Sequence, residues 1–221
     1  MSVWDILVNY YPAFLNGLRV TLELSLIIWF SGIVLGGALG VAGSRYRLAV
    51  GLPSRAVSFI LSGIPILVFL FWLHYPAQAM LNVVIDPFYT GAFTLSVINI
   101  FGVADIVRGA LNDFPQQYLI AARVTGLSRR QTVLNIQLPL IFREVLPSLL
   151  LLQVMMLHTT LFTSLISVEE IFRAAQRINA QIYRPVEIYT ALGVFFLMVC
   201  LPINGFALWL KARYTRDLSE Q

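Results

Sequence analysis

The sequence predicts an all-α integral membrane protein: five transmembrane helices, with one polar elbow between the third and the fourth. Three observations carry this expectation. Of the 221 residues, 58% are hydrophobic and 12% charged, with mean hydropathy +0.80, whereas soluble domains carry about 25% charged residues. The apolar residues gather into stretches near the length that a helix needs to cross a hydrocarbon layer of about 30 Å. The basic residues stand mostly at the ends of those stretches, where a membrane edge would hold them.

Residues 1–17 are mixed in character, and Trp4, Tyr10 and Tyr11 suit a short helix lying on the membrane surface. Residues 18–210 form the membrane domain and 211–221 a polar tail. The first span is expected over 18–41. Gly32, Gly36 and Gly40 repeat along it every four residues, a ridge that lets a second helix approach closely. Gly51 and Pro53 are expected to break the helix at the next turn, which Arg45, Arg47 and Arg55 flank. The second span, 56–72, is interrupted by Gly63 and Pro65, a kink tolerated where it faces protein or a wet cavity. A loop over 74–91, containing Pro76, Asp86 and Pro87, leads to the third span over 92–111.

The elbow follows. Tyr118, Leu119, Ile120, Ala121 and Ala122 favour a helix. Gly126 stands where that helix needs a left-handed residue just past its end. Ser128, with Gln131 three positions on, is a capping box that starts a second helix. Pro139 is expected to stop that helix, with Leu138 pushed toward extended backbone. The fourth span is expected over 145–166. A helix outside the membrane falls within 167–185, where Glu169, Glu170, Arg173, Arg177 and Arg184 cluster. The fifth span is 186–210.

Five spans put the termini on opposite sides. One side collects Arg45, Arg47, Arg55, Arg108, Arg123, Arg129, Arg130, Arg143, Lys211, Arg213 and Arg216; the other has Arg19, Arg173, Arg177 and Arg184. The positive-inside bias then places the elbow and the C-terminus in the cytoplasm and the N-terminus outside. The net charge of +4 is thus spent at membrane edges and implies no nucleic acid.

Several function classes lose support. Cys200, the single cysteine, lies within an apolar run, so neither a disulfide framework nor a cysteine metal cluster is expected. The first eighteen residues hold Asp5 and no basic residue, unlike the start of a secretory signal. Lys211 is the sole lysine and stands in no GxxxxGK[ST] loop, so this chain offers no ATP-hydrolysing P-loop. His74 and His158 lack the spacing that would put two metal ligands on one helix face.

The ordered series Ala121-Ala122, Gly126, then Ile136-x-Leu138-Pro139 resembles the cytoplasmic coupling loop of bacterial ABC-importer permeases. Arg143-x-x-Leu146-Pro147 and Asp105-Ile106-Val107-Arg108-Gly109 are similar to the polar amino acid branch of that family. The resemblance spans roughly 18–210. It implies the type I permease fold and a permease subunit that imports polar amino acids or related small solutes. The implied partners are a dimer of cytoplasmic ATPase subunits, which bind ATP and Mg, a second permease chain, expected to be different but homologous, a periplasmic or extracellular solute-binding protein, and membrane lipid. The implied location is the bacterial inner membrane, with no cofactor and no metal bound by this chain. The coupling residues carried over are Ala121, Ala122, Arg123, Gly126, Leu127, Ser128, Arg129, Ile136, Leu138 and Pro139.

Polar groups inside spans mark substrate routes. His158, Thr159, Thr160, Thr163 and Ser164 align in part with the pathway segment of the family, and Glu23 could face the pathway or snorkel to the interface. Asp105 and Arg108, one turn apart, are expected to form a structural ion pair. The sequence departs from the family at Ile120, where the coupling loop has glutamate, and at Ser62, Phe69, Leu151, His158 and Thr159. Those changes remove strong charges and polar groups, which implies a weaker zwitterion site on this chain. Two other classes stand as alternatives. One is a small intramembrane hydrolase using Ser62 and His158. The other is a membrane scaffold that transports nothing.

Overall fold

A computed structural model describes residues 3–219, with side chains to Tyr214. Met1, Ser2, Glu220 and Gln221, and the Arg216 side chain of the tail, lie outside the described residues. Among the described residues the chain is helices joined by short connections, without strands. We number the helices α1 (Val3–Arg45), α2 (Arg47–Gly63), α3 (Ile66–Leu81), α4 (Pro87–Asn112), α5 (Gln116–Val124), α6 (Arg129–Ile166), α7 (Ile171–Ile182) and α8 (Pro185–Ser219). Four of them, α1, α4, α6 and α8, are long and apolar enough to cross a membrane. The pair α2 and α3 makes a fifth span if taken together, bent by 98°.

That bend lies where Gly63 and Pro65 foretold a break. Ile64, forced out of the helical region by the following proline, is extended at φ −103°, ψ 123°. Three expectations are corrected. The surface helix expected over 1–17 is no separate element, since α1 runs through Gly17 without interruption. Gly51 and Pro53 do not break the chain: Tyr46 makes the turn, and Pro53 falls in the first turn of regular α-helix, where its missing N–H costs nothing. The loop expected over 74–91 is mostly helical, for α3 reaches Leu81 and α4 begins at Pro87, capped by Asp86.

The core sits where α1, α3, α4 and α6 meet. Leu24, Ile28, Leu70, Leu95, Met156 and Ile166 are almost wholly buried there. The glycine ridge of α1 supplies the closest approach. A Cβ at Gly36 would stand 2.5 Å from the Ile100 carbonyl oxygen, and one at Gly40 2.8 Å from that of Ala104. Gly32 similarly faces Asn99 on α4, where a Cβ would clash with the amide. The Asn99 side chain is buried and donates to the Ile28 carbonyl at 2.8 Å and to Gln153 Oε1 at 3.0 Å. Trp29 Nε1 donates to the Gln153 carbonyl at 3.1 Å. Three spans are therefore tied by bonds that have no water to compete with in lipid.

The outer helix α7 buries Ile171, Ala174, Ala175 and Ile178 and rests on α1 and α8. Its first N–H, from Ile171, donates to Thr21 of α1 at 3.1 Å. Elsewhere large apolar side chains stay exposed along α1 and α8, Phe30 and Met198 among them. Such a surface suits lipid rather than water.

Candidate functional site: the polar elbow

The corner between α5 and α6 is built by two local devices in succession. Thr125 leaves the helical region at ψ 1°, and Gly126 follows at φ +74°. The Gly126 N–H donates to the Arg123 carbonyl at 3.1 Å and the Leu127 N–H to the Ala122 carbonyl at 3.0 Å. This pair of bonds is the Schellman closure, and its left-handed residue is one that only glycine adopts without strain. Ser128 then caps α6: its Oγ accepts from the Gln131 N–H at 3.4 Å, and Gln131 Oε1 accepts from the Ser128 N–H at 2.9 Å. The turn is thus four residues long, 125–128, with a closure at one helix end and a cap at the other.

One expectation fails here. Pro139 does not stop the second helix. Residues 133–137 form a single π turn, and α-helix resumes at Leu138 with Pro139 in its first turn, so α6 runs unbroken from the elbow into the membrane. The wider turn accommodates a residue without an N–H. Leu138 is accordingly helical rather than extended.

Of the residues carried over, Ala122 is buried, Leu127 and Ile136 are half-buried, and Ala121, Arg123, Ser128, Arg129, Leu138 and Pro139 are exposed. Helix α5 makes few contacts with the spans and stands clear of them. Ile120, Val124, Leu134 and Leu138 are exposed apolar residues on the corner. Between Asp113 and Glu144 the chain carries Arg123, Arg129, Arg130 and Arg143 and no carboxylate. A cavity of about 570 Å³ opens inside the corner, lined by Leu119, Arg123, Leu127, Arg129, Thr132, Val133 and Gln137.

The other singled-out residues lie apart from the elbow. Arg108 is buried and pairs with Asp105; Asp105 also accepts from Ser58, and Ser54 accepts from Arg108 Nη1 at 3.2 Å. Glu23 accepts from Arg19 at 2.8 Å in an exposed pair on α1. Thr159, Thr160, Thr163 and Ser164 are buried, and each hydroxyl donates to the carbonyl three residues back, as hydroxyls in helices commonly do. His158 is exposed on one side; its Nε2 lies 3.1 Å from Cys200 Sγ, and its ring stands edgewise to Phe196. Ser62 donates to the Phe59 carbonyl at 2.8 Å, so the structure does not join Ser62 to His158 as a nucleophile and its base. No group of three or more His, Cys, Asp or Glu among the described residues could hold a metal.

Sequence reasoning missed the clamp of Asn99 and Gln153. A signal existed: each is an amide within an otherwise apolar span, and such groups need partners.

A bundle of apolar spans with one rigid, basic corner standing clear of it is the architecture of a multi-pass membrane protein. The chain belongs to the family described as binding-protein-dependent transport system inner membrane component, which it matches over residues 32–216. It is a transporter permease component and not an enzyme. It is 29% identical to the histidine/lysine/arginine/ornithine transport system permease protein HisQ of Salmonella typhimurium, over 95% of this chain and 96% of the relative. It is 27% identical to the glutamine transport system permease protein GlnP of Escherichia coli, over 91% and 92%. It is also 27% identical to the octopine transport system permease protein OccM of Rhizobium meliloti, over 96% and 93%. The fold is shared with a chain of an amino acid ABC transporter crystallised with histidines, at TM-score 0.82 and 22% identity over 94% of this chain and 96% of that one. An inward-facing structure of the MetNI methionine ABC transporter has TM-score 0.71 at 18% identity, over 90% and 95%.

Proposed function

We propose that the chain is the permease subunit of an ATP-driven importer for polar amino acids or related amino-acid-like solutes. It works with a cytoplasmic ATPase dimer, a second permease chain and an external solute-binding protein. The substrates for which these relatives are named, histidine, lysine, arginine, ornithine, glutamine and octopine, all carry an amino acid core and support this class. The N-terminus lies outside and the elbow and C-terminus in the cytoplasm, as the distribution of basic residues favours.

The observation that carries the reading is the corner itself. Its glycine closure and its capping box fix the angle between α5 and α6, and α6 continues from the corner into the membrane without a break. A force applied to α5 is therefore delivered to the span as rotation rather than absorbed by a flexible loop. Ala121, Arg123, Leu127, Arg129, Ile136 and Leu138 supply a mixed basic and apolar face for an ATPase cleft. Ile120 replaces the acidic contact of the coupling loop, so docking leans on the arginines and on apolar burial. The test is uptake and ATP hydrolysis measured together in the assembled complex. Gly126→Val is expected to leave insertion normal and to uncouple hydrolysis from uptake. Unchanged uptake would remove the lever.

For the solute, Glu23 is neutralised by Arg19, and the buried hydroxyls of Thr159, Thr160 and Ser164 are occupied by backbone. Of that set, His158 is the polar group with an exposed ring. We assign it a minor contact: either a second, different permease chain holds the main contacts or the substrate is unusual. His158→Ala is expected to lower uptake in part. Complete loss with the complex intact would place the main site here.

A further inference from the structure

At the end of the bundle that leads to the elbow, the α1–α2 turn folds back against the end of α4 and encloses a cavity of about 270 Å³. Its wall holds three guanidiniums, Arg47, Arg55 and Arg108, with Asn112, and no carboxylate. Gly43 and Gly51 let the two backbones touch, for a Cβ on Gly51 would stand 2.5 Å from the Gly43 carbonyl oxygen. Gly43 also admits Arg108, whose Cδ would lie 3.4 Å from an added Cβ.

Most of the wall is apolar, from Leu48, Leu52 and the glycines, and its side-chain polar groups are guanidiniums and one amide. Arg108 is buried and held by Asp105 and Ser54, which leaves guanidinium N–H groups beyond those two bonds. Asn112 Oδ1 already accepts from Ser44 at 3.1 Å, so its amide nitrogen is the half still to be used. Arg47 and Arg55 are exposed, and neither is in an ion pair among the described residues. With one positive charge cancelled by Asp105, the pocket retains about two. Guanidiniums around one apolar cavity, with no carboxylate in its lining, are the chemistry of a phosphate-bearing anion that also carries apolar groups.

The surroundings point to the form that anion takes. Leu48 is 83% exposed and Leu52 61% exposed, and both line the cavity. Tyr46, with Arg45 over its ring at 5.5 Å, gives the same turn an aromatic and basic girdle, the composition of a membrane–water interface. We infer that this cavity binds the phosphate of an anionic phospholipid, its headgroup among Arg47, Arg55, Arg108 and Asn112 and its acyl chains along Leu48 and Leu52. The inference rests on the cavity and does not depend on the transport reading.

The test uses the assembled complex, delipidated in detergent and titrated with phosphatidylglycerol, phosphatidylcholine, sn-glycerol 3-phosphate or inorganic phosphate, with bound ligand counted by native mass spectrometry. A tight phosphatidylglycerol adduct not formed by phosphatidylcholine is expected. Arg47→Gln with Arg55→Gln should weaken it about 30-fold, since each basic residue near such a headgroup is worth about 1 kcal/mol. Both side chains are exposed, so the pair should fold; Arg45→Gln, on the same turn but outside the lining, should change affinity less than about 3-fold. Equal binding of the two small phosphates would assign the same site to a soluble anion rather than to lipid. An adduct insensitive to the double variant, or equally sensitive to Arg45→Gln, would overturn the site.

Discussion

The seam between α1 and α4 and the corner between α5 and α6 both depend on glycine, for opposite reasons. At Gly32, Gly36 and Gly40 what matters is the absent Cβ, since the Asn99 side chain takes its place at the first and the α4 backbone at the other two. At Gly126 nothing lies within 4 Å of an added Cβ, and what matters is the backbone angle, φ +74°. One region is rigid because it is packed; the other is rigid although it is bare. A transporter needs both, a bundle that moves as one body and a lever that stands outside it.

Substitutions separate the two kinds of rigidity. The largest effect is expected at the seam. Gly36→Ala brings a methyl to 2.5 Å from the Ile100 carbonyl oxygen, so the helices must part, at a cost of roughly 1–3 kcal/mol. Gly37→Ala, with nothing within 4 Å, should stay within about 0.5 kcal/mol of the parent. Thermal unfolding of the purified complex reads the difference, and an equal response of the neighbours would dissolve the seam as a packed interface.

Next comes the corner, where the side chain matters less than the angle it tolerates. A left-handed residue other than glycine costs about 1–2 kcal/mol, with asparagine the mildest and β-branched residues the worst. Gly126→Asn should therefore retain most coupled uptake while Gly126→Val loses it, and unfolding of the spans should be the same in both. If the two variants behave alike, the left-handed angle is not what the corner contributes.

Smaller again is the amide clamp inside the bundle. Asn99 and Gln153 exchange two hydrogen bonds, at 3.0 and 3.3 Å, and buried polar pairs within membranes couple by about 0.6 kcal/mol on average. A double-mutant cycle on Asn99→Ala and Gln153→Ala, followed by unfolding, should return a coupling of about that size. A coupling indistinguishable from zero would mean that the tie to the Ile28 carbonyl holds Asn99 alone.

The same contrast explains what could be read from sequence. The seam showed itself as glycines four apart, and the corner as Gly126 followed by Ser128 and Gln131, because both are local patterns in which one residue type satisfies one geometric demand. Pro139 misled for the complementary reason: a proline signals a missing N–H, but not whether a wider turn upstream will absorb it, as residues 133–137 do. The helical stretch over 74–81 was hidden by Pro76, which sits within a π turn. The phosphate cavity was not legible at all, since Arg47, Arg55 and Arg108 meet only once α2 folds back on α4.

Caps make the last comparison, because the corner and the outer helix α7 each begin a helix with a side chain that accepts backbone N–H groups. Ser128 does so at an exposed start and has no charge to lose. Glu170 does so fully buried at the start of α7, accepting from Phe172 at 2.9 Å and Arg173 at 2.7 Å. Its carboxyl pKa is raised from 4.5 to about 7, chiefly because burial disfavours the charge, with the two N–H bonds opposing and Glu169 adding to the rise. A folded-state value above the unfolded one means that the contribution to stability is complete below about pH 4.5 and is lost as pH rises through about 7. Unfolding midpoints of the complex should therefore decline gently across that window. Glu170→Gln keeps an acceptor oxygen for the cap but cannot ionise, so it should flatten the slope, while Ser128→Ala should leave the slope unchanged. A slope that persists in the Gln variant would assign the titration to another group and leave Glu170 as a cap without a pH-dependent part.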